Sequence, residues 1–256
     1  MGTNAVEQAL AILGKKRVLL QIHDPSFPGR PDEDVGRGTP YGTAGAEFAR
    51  FAKSIGFTGL QLGPQGRTTR DNPSPYDSTA FSRNFLSLSF ASLRGDPTWG
   101  ELVDDDLLDS ALTAAAGAPA DRTQHRQAYD AQLALSNRAF ERYREARSRT
   151  TIDTRELDRF AEDNRFWLEP DAMYEALSRE YGTADWRGWS GPNAEVDRVL
   201  YCAPGAARDA ASSRRAELTK RYAEDLERYA LIQYLVHRQH QEFHRRANEM
   251  GLSLYA

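Results

Sequence analysis

One cysteine, Cys202, stands alone in 256 residues, so the chain can form no internal disulfide and suits a reducing compartment. No stretch approaches the roughly 20 consecutive apolar residues that a membrane-spanning helix requires. The short apolar run at residues 9–13 has no basic segment before it and no small-residue cleavage site, so it does not read as a signal peptide. An excess of basic charge is missing too. The 33 Lys and Arg face 37 Asp and Glu, a net charge of −4, which leaves no electrostatic footprint for nucleic acid and no polybasic membrane anchor. The expected setting is cytoplasmic, with no nucleic-acid and no membrane partner.

Cofactor and metal motifs are also scarce. Gly36-Arg37-Gly38 lacks the lysine and the spacing of a phosphate loop. His237, His240 and His244 share one helical face, but Glu242 falls one place late for the His-Glu-x-x-His pattern of a zinc helix. That face is expected to be solvated. No metal and no cofactor is expected.

What is present is an ordinary globular composition, 40% hydrophobic and 27% charged, long enough to bury a sizeable core. Residues 18–22 (VLLQI) form an apolar run closed by His23, Asp24 and Pro25, as a buried strand would be. A Gly/Pro-rich loop follows to Gly42. Helical spacing then runs over residues 43–54, with Gly56 placed to end it. Residues 57–62 (FTGLQL) read as a second strand, stopped by Gly63 and Pro64. Strand, loop, helix, strand is a βαβ unit, which implies parallel strands.

Residues 63–84 make a second long polar loop, of the kind that often carries function. Residues 85–93 suggest a short extended segment. From about residue 97 to 189 the pattern is mostly helical, with one helix expected over 171–181. Trp167, Trp186 and Trp189 are expected in the core of that helical part, with a sugar platform as the alternative. The basic stretch 142–149, interrupted by Glu145, reads as a solvated face. Residues 182–205 are irregular. A single long helix is expected from about residue 206 to 250, its apolar positions recurring at three- and four-residue steps with one wider gap, between Val236 and Phe243. A third strand opens at Leu252. If it stopped at Ala256 it would leave bare edges, which recruit other chains, and this points to a truncated chain.

Five blocks, in order, carry a family resemblance. His23-Asp24-Pro25-Ser26-Phe27-Pro28-Gly29 with Thr39-Pro40-Tyr41-Gly42 comes first. Leu60-Gln61-Leu62-Gly63-Pro64-Gln65-Gly66 follows. Then comes Ser74-Pro75-Tyr76-Asp77-Ser78-Thr79-Ala80-Phe81-Ser82-Arg83-Asn84. The fourth is Trp167-Leu168-Glu169-Pro170-Asp171-Ala172-Met173 with Trp186 and Trp189, and the fifth runs from Gln233-Tyr234-Leu235 to Gly251-Leu252. Together they resemble the N-terminal part of the 4-alpha-glucanotransferases (amylomaltase type, glycoside hydrolase family 77), over residues 17–256. Pro73 stands where the common form has an acidic residue, and Asp77 where it has glutamine, as in a divergent subfamily.

The resemblance implies an α/β fold: a partial (β/α)8 TIM barrel, its first three strands, with a large helical insertion. Residues 1–96 would be the first βαβ part with substrate-facing loops, 97–205 the helical insertion, and 206–256 the long helix and third strand. It implies a retaining transfer of α-1,4-glucan segments between maltooligosaccharides, with an aspartate nucleophile and a glutamate acid/base. Those carboxylates would stand on later barrel strands, beyond Ala256, so no catalytic residue is assigned and the 256 residues alone are expected to be inactive. The implied substrate-binding residues are Ser74, Tyr76, Asp77, Ser78, His23 and Tyr41. For Tyr76 the alternative is a structural turn fixed by Pro73 and Pro75, and for Tyr41 it is loop packing. A non-catalytic glucan-binding or interaction module is the rival function, and a helical scaffold the third.

Overall fold

The computed structural model describes residues 5–76, 79, 81–117, 119 and 121–255. An exposed helix α1 (Ala5–Ile12) precedes strand β1 (Leu19–Ile22), helix α2 (Thr43–Ser54) and strand β2 (Gly59–Leu62). Four helices follow: α3 (Asp105–Ala116), α4 (His125–Ser148), α5 (Arg155–Asp163) and α6 (Arg165–Glu180). Then come the short α7 (Ala194–Asp197), α8 (Arg208–Arg221), α9 (Ala223–Glu249) and strand β3 (Ser253–Tyr255). The chain divides into two compact units, residues 1–153 with 235–256, and Thr154–Tyr234.

The first unit holds a parallel sheet in the order β1-β2-β3, with Leu20 opposite Leu60 and Leu60 opposite Leu254. Leu60 is wholly buried, as a central parallel strand requires. The same device delivers the chain into β2 and into β3. At the end of α2, Gly56 takes φ +104° while its N–H reaches Lys53 O and the N–H of Phe57 reaches Ala52 O. At the end of α9, Gly251 takes φ +74°, with Gly251 N to Asn248 O and Leu252 N to Ala247 O. Both are Schellman caps, in which the left-handed residue costs glycine nothing. The end of α4 uses the same bonds, Thr150 N to Arg147 O and Thr151 N to Ala146 O, but with a β-branched Thr150 at φ +58°.

Three expectations are corrected. Residues 85–93 are not extended but form two 3-10 turns, Phe85–Ser87 and Ala91–Leu93. Among the described residues the sheet consists of β1, β2 and β3, and these residues take no part in it. Asn84 Oδ1 accepts the N–H of Leu86 at 3.1 Å, and Gln132 Nε2 on α4 donates to the Leu88 carbonyl at 2.8 Å, so side chains take up backbone groups that a strand would pair. The helix expected over 171–181 begins at Arg165 and runs through Pro170, at the cost of one ladder hydrogen bond. The single long helix is two, with Tyr222 between them at φ −105°, ψ 22°.

In the second unit Met173, Leu177, Trp189, Ala194, Leu200 and Leu218 form the core, with Tyr174 and Tyr181 stacked on the Trp189 ring. Arg214 and Asp197 pair inside it at 2.9 Å, their side chains 8% and 0% exposed. Trp167 and Trp189 are buried, whereas Trp186 is exposed.

Candidate functional site

Parallel strands send their trailing loops to one end of a sheet. Here β1 leads into His23 and Asp24, and β2 leads into Gly63, Pro64 and Gln65. The two loops touch so closely that a Cβ on Gly63 would lie 2.1 Å from His23 Nδ1. Around them is a cavity of about 420 Å³, lined by His23, Asp24, Arg37, Gln65, Thr68 and Asn84 among others, with Pro73 and Pro75 in its wall.

Asp24 is 3% exposed and anchors a buried polar network. Ser87 Oγ donates to its Oδ2 at 2.7 Å and itself accepts from Arg37 Nη1 at 3.1 Å. Gln65 Nε2 lies 3.1 and 3.0 Å from the two Asp24 oxygens and 3.1 Å from Tyr41 Oη. Gln65 Oε1 accepts from Arg83 Nη1. The amide can sit only this way round, because a carboxylate accepts and a guanidinium donates.

The direction of the chain follows from counting protons. Tyr41 Oη accepts from Gln65, so its own proton goes to His240 Nδ1, 3.2 Å away on α9. A neutral His240 that accepts at Nδ1 carries its proton on Nε2. Burial, and then the charge of Asp24, push the Tyr41 phenol well above its usual range, so it remains a donor. Burial next to the positive Arg83, with His237 and His244 nearby, pushes His240 down to about 3. Burial also lowers the Arg37 guanidinium, against the attraction of Asp24.

The residues expected to bind substrate divide into three groups. His23 lines the cavity. Tyr41 is 8% exposed and is tied into the buried network, so its ring presents little surface. Ser74 and Tyr76 lie in the loop whose prolines form the cavity wall. Asn72 Oδ1 accepts the N–H of Ser74 at 3.0 Å, Ser74 Oγ accepts that of Tyr76 at 3.4 Å, and Tyr76 is 73% exposed. Asp77 and Ser78 lie outside the described residues. The histidine face of α9 is not a plain solvated surface: His240 bonds Tyr41, and Phe243 one turn on is buried.

The network residues Asp24, Gln65, Arg83 and Ser87 are not singled out by sequence reasoning, and His240 enters there only as part of a histidine face expected to be solvated. Asp24 and Gln65 could have been, since each follows its strand within three residues. For His240 the signal was the wide gap in the apolar pattern of α9. Positions 236, 240 and 243 share a face, and His240 fills the gap between Val236 and Phe243. Among the described residues no cluster of three or more His, Cys, Asp or Glu could hold a metal ion, and no helix is long and apolar enough to cross a membrane.

The family model for glycoside hydrolase 77, described as 4-alpha-glucanotransferase, matches residues 25–256. Two 4-alpha-glucanotransferases of Streptococcus pneumoniae, from the serotype 4 strain TIGR4 and from strain R6, are each 26% identical over 190 residues. The match takes in 72% of this chain and 33% of theirs, so the chain spans about a third of the length of these relatives. Among solved structures, the amylomaltase from Streptococcus agalactiae in complex with acarbose superposes with a TM-score of 0.73 at 19% identity. That match takes in 93% of this chain and 42% of the amylomaltase chain, a likeness of fold.

Proposed function

Because this chain belongs to the glycoside hydrolase 77 family of 4-alpha-glucanotransferases, we propose that its strand-end loops form part of the glucan-binding wall of a retaining transferase. In this reading β1, β2 and β3 are the opening strands of a (β/α)8 barrel, whose sites lie at the C-terminal ends of the strands. The supporting observation is the cavity behind β1 and β2, where both trailing loops and the Ser74–Tyr76 turn meet.

Saccharides are held by aromatic faces against their C–H patches and by dense hydrogen bonds to their hydroxyls. Tyr76, which is exposed, supplies the face. His23, Ser74, Asp77 and Ser78 supply polar groups. The buried network behind them holds the loops in register before substrate arrives, which cuts the cost of ordering on binding.

A retaining transfer needs two carboxyl groups about 5–5.5 Å apart, one as nucleophile and one as acid and then base, with a glucan 4-hydroxyl in place of water as the acceptor. Among the described residues lining the cavity Asp24 is the one carboxylate, and its oxygens already accept from Ser87 and Gln65. We therefore assign neither role to it, and place the reacting pair outside this set of residues. Exposed Cys202, alone in the sequence, fits a cytoplasmic setting.

The test is maltotriose disproportionation. Purified residues 1–256 should release no glucose, and glucose release would overturn the placement of the reacting pair elsewhere. In a full-length relative, replacing the tyrosine that corresponds to Tyr76 with alanine should lower turnover roughly a hundredfold, the scale of a lost positioning contact, with the fold intact. Unchanged turnover removes Tyr76 from the site.

A further inference from the structure

A second site candidate lies wholly within residues 154–234 and shares no residue with the strand-end cavity. It is a groove of about 560 Å³ between the end of α5, the first two turns of α6 and Tyr201. Its size falls within the roughly 300–1,000 Å³ of small-molecule sites. Phe166 projects into it and is 69% exposed. The buried face of α6 is formed by Trp167, Leu168, Ala172, Met173, Ala176 and Leu177, so Phe166 is not needed for that core.

Tyr201, the second aromatic of the groove, is held from two sides. Its hydroxyl donates to Glu169 Oε1 at 3.3 Å, and the Arg215 guanidinium sits 5.4 Å from its ring centre. Arg165 completes the clamp at 3.3 Å from the other Glu169 oxygen. The side chain is thus oriented before any ligand arrives. At the end of α5, Glu162 and Asp163 also line the groove, and neither carboxylate makes an ion pair among the described residues.

We propose that this groove binds α-1,4-glucan. A pyranose has an apolar C–H face, which suits an exposed phenyl ring. It also has a rim of hydroxyls, which donate to carboxylates and accept from guanidinium groups. Adjacent carboxylates such as Glu162 and Asp163 can take neighbouring hydroxyls of one ring. Three carboxylates against two guanidinium groups disfavour an anion, and Arg215 already covers the Tyr201 ring where a cationic ligand would stack. A neutral polyhydroxyl ligand is what remains. The choice of α-1,4-glucan among such ligands rests on the function proposed above.

The experiment is an amide chemical-shift titration of residues 1–256 with maltoheptaose. Amides of residues 162–169 and 201 should shift saturably. The double variant Phe166→Ala/Tyr201→Ala should weaken binding at the groove roughly tenfold or more, about 1.4 kcal/mol. Tyr76→Ala should leave it unchanged. If the double variant does not fold, Glu162→Gln/Asp163→Asn, confined to exposed side chains, should weaken groove binding in the same direction. Shifts at the Ser74 and Tyr76 amides with none at the groove overturn this proposal and leave the proposed function standing. Shifts at the groove with none at Ser74 and Tyr76 do the reverse. Groove shifts that survive both double variants also overturn it.

Discussion

The two units of this chain bury polar groups in different ways. In the first, Asp24, Arg37 and Ser87 lie inside, joined to Gln65, Tyr41 and His240 by hydrogen bonds that spread the charge over several partners. In the second, the buried charge is concentrated on Arg214 and Asp197, which pair in an aromatic core beside Tyr181, whose hydroxyl donates to Asp197 Oδ2 at 2.7 Å, while Arg214 also reaches the exposed Glu217. A network spreads the consequence of any one deletion, whereas a pair concentrates it. The first arrangement suits loops that must hold a surface ready for a ligand, and the second suits a core that must only stay closed.

The largest expected effect tests the concentrated case. Arg214→Met should cost about 3–5 kcal/mol in urea unfolding, because it strands a buried carboxylate. Replacing both partners by apolar residues should restore most of that loss. In the network, Ser87→Ala removes one donor to Asp24 and one acceptor for Arg37, and should cost about 1.5–3 kcal/mol. If Ser87→Ala costs as much as Arg214→Met, the contrast between the units fails. At Thr150, which makes no part of the network, glycine should stabilise the first unit by about 1 kcal/mol, since the left-handed backbone strains a β-branched residue.

The smallest effect near neutrality concerns pH. His240 faces Tyr41, with Arg83, His237 and His244 nearby, and its folded value of about 3 lies below the ordinary 6.5. Between those values the unfolded chain binds the proton and the folded chain does not, so stability falls as pH drops from 6.5 towards 3 and is unaffected above that window. His240→Gln can still accept from Tyr41 but does not titrate. Its Tm should therefore decline less than that of the wild type between pH 6.5 and 5. Equal declines would mean that His240 is not held neutral.

The parts of this architecture that were legible in the sequence are those set by neighbours in the chain. The bounds of α2, Thr43–Ser54, follow from apolar spacing and from Gly56, β1 and β2 follow from short apolar runs before turn formers, and β3 from the apolar run that opens after Gly251. The site was legible only as a pair of loops. Asp24 meets Ser87 across 63 positions, and Tyr41 meets His240 across 199. No local pattern names such a partner: the gap between Val236 and Phe243 marks the side of the helix on which His240 lies, but not what it meets. Residues 85–93 misled for a related reason. Their apolar content was real, but strands need a partner, and the caps from Asn84 and Gln132 offered the backbone a cheaper alternative.

One side chain carries more than its size suggests. Gln65 gives hydrogens at one end to an anion and takes one at the other from a cation, so its amide works as a polarised spacer with a fixed sense. Glutamate, of nearly equal shape, would turn an oxygen towards Asp24 and set two negative groups face to face. Leucine would leave both ends of the gap without a hydrogen-bonding answer. The position thus tolerates neither a change of charge nor a loss of polarity, a narrower tolerance than its place in an ordinary turn would suggest.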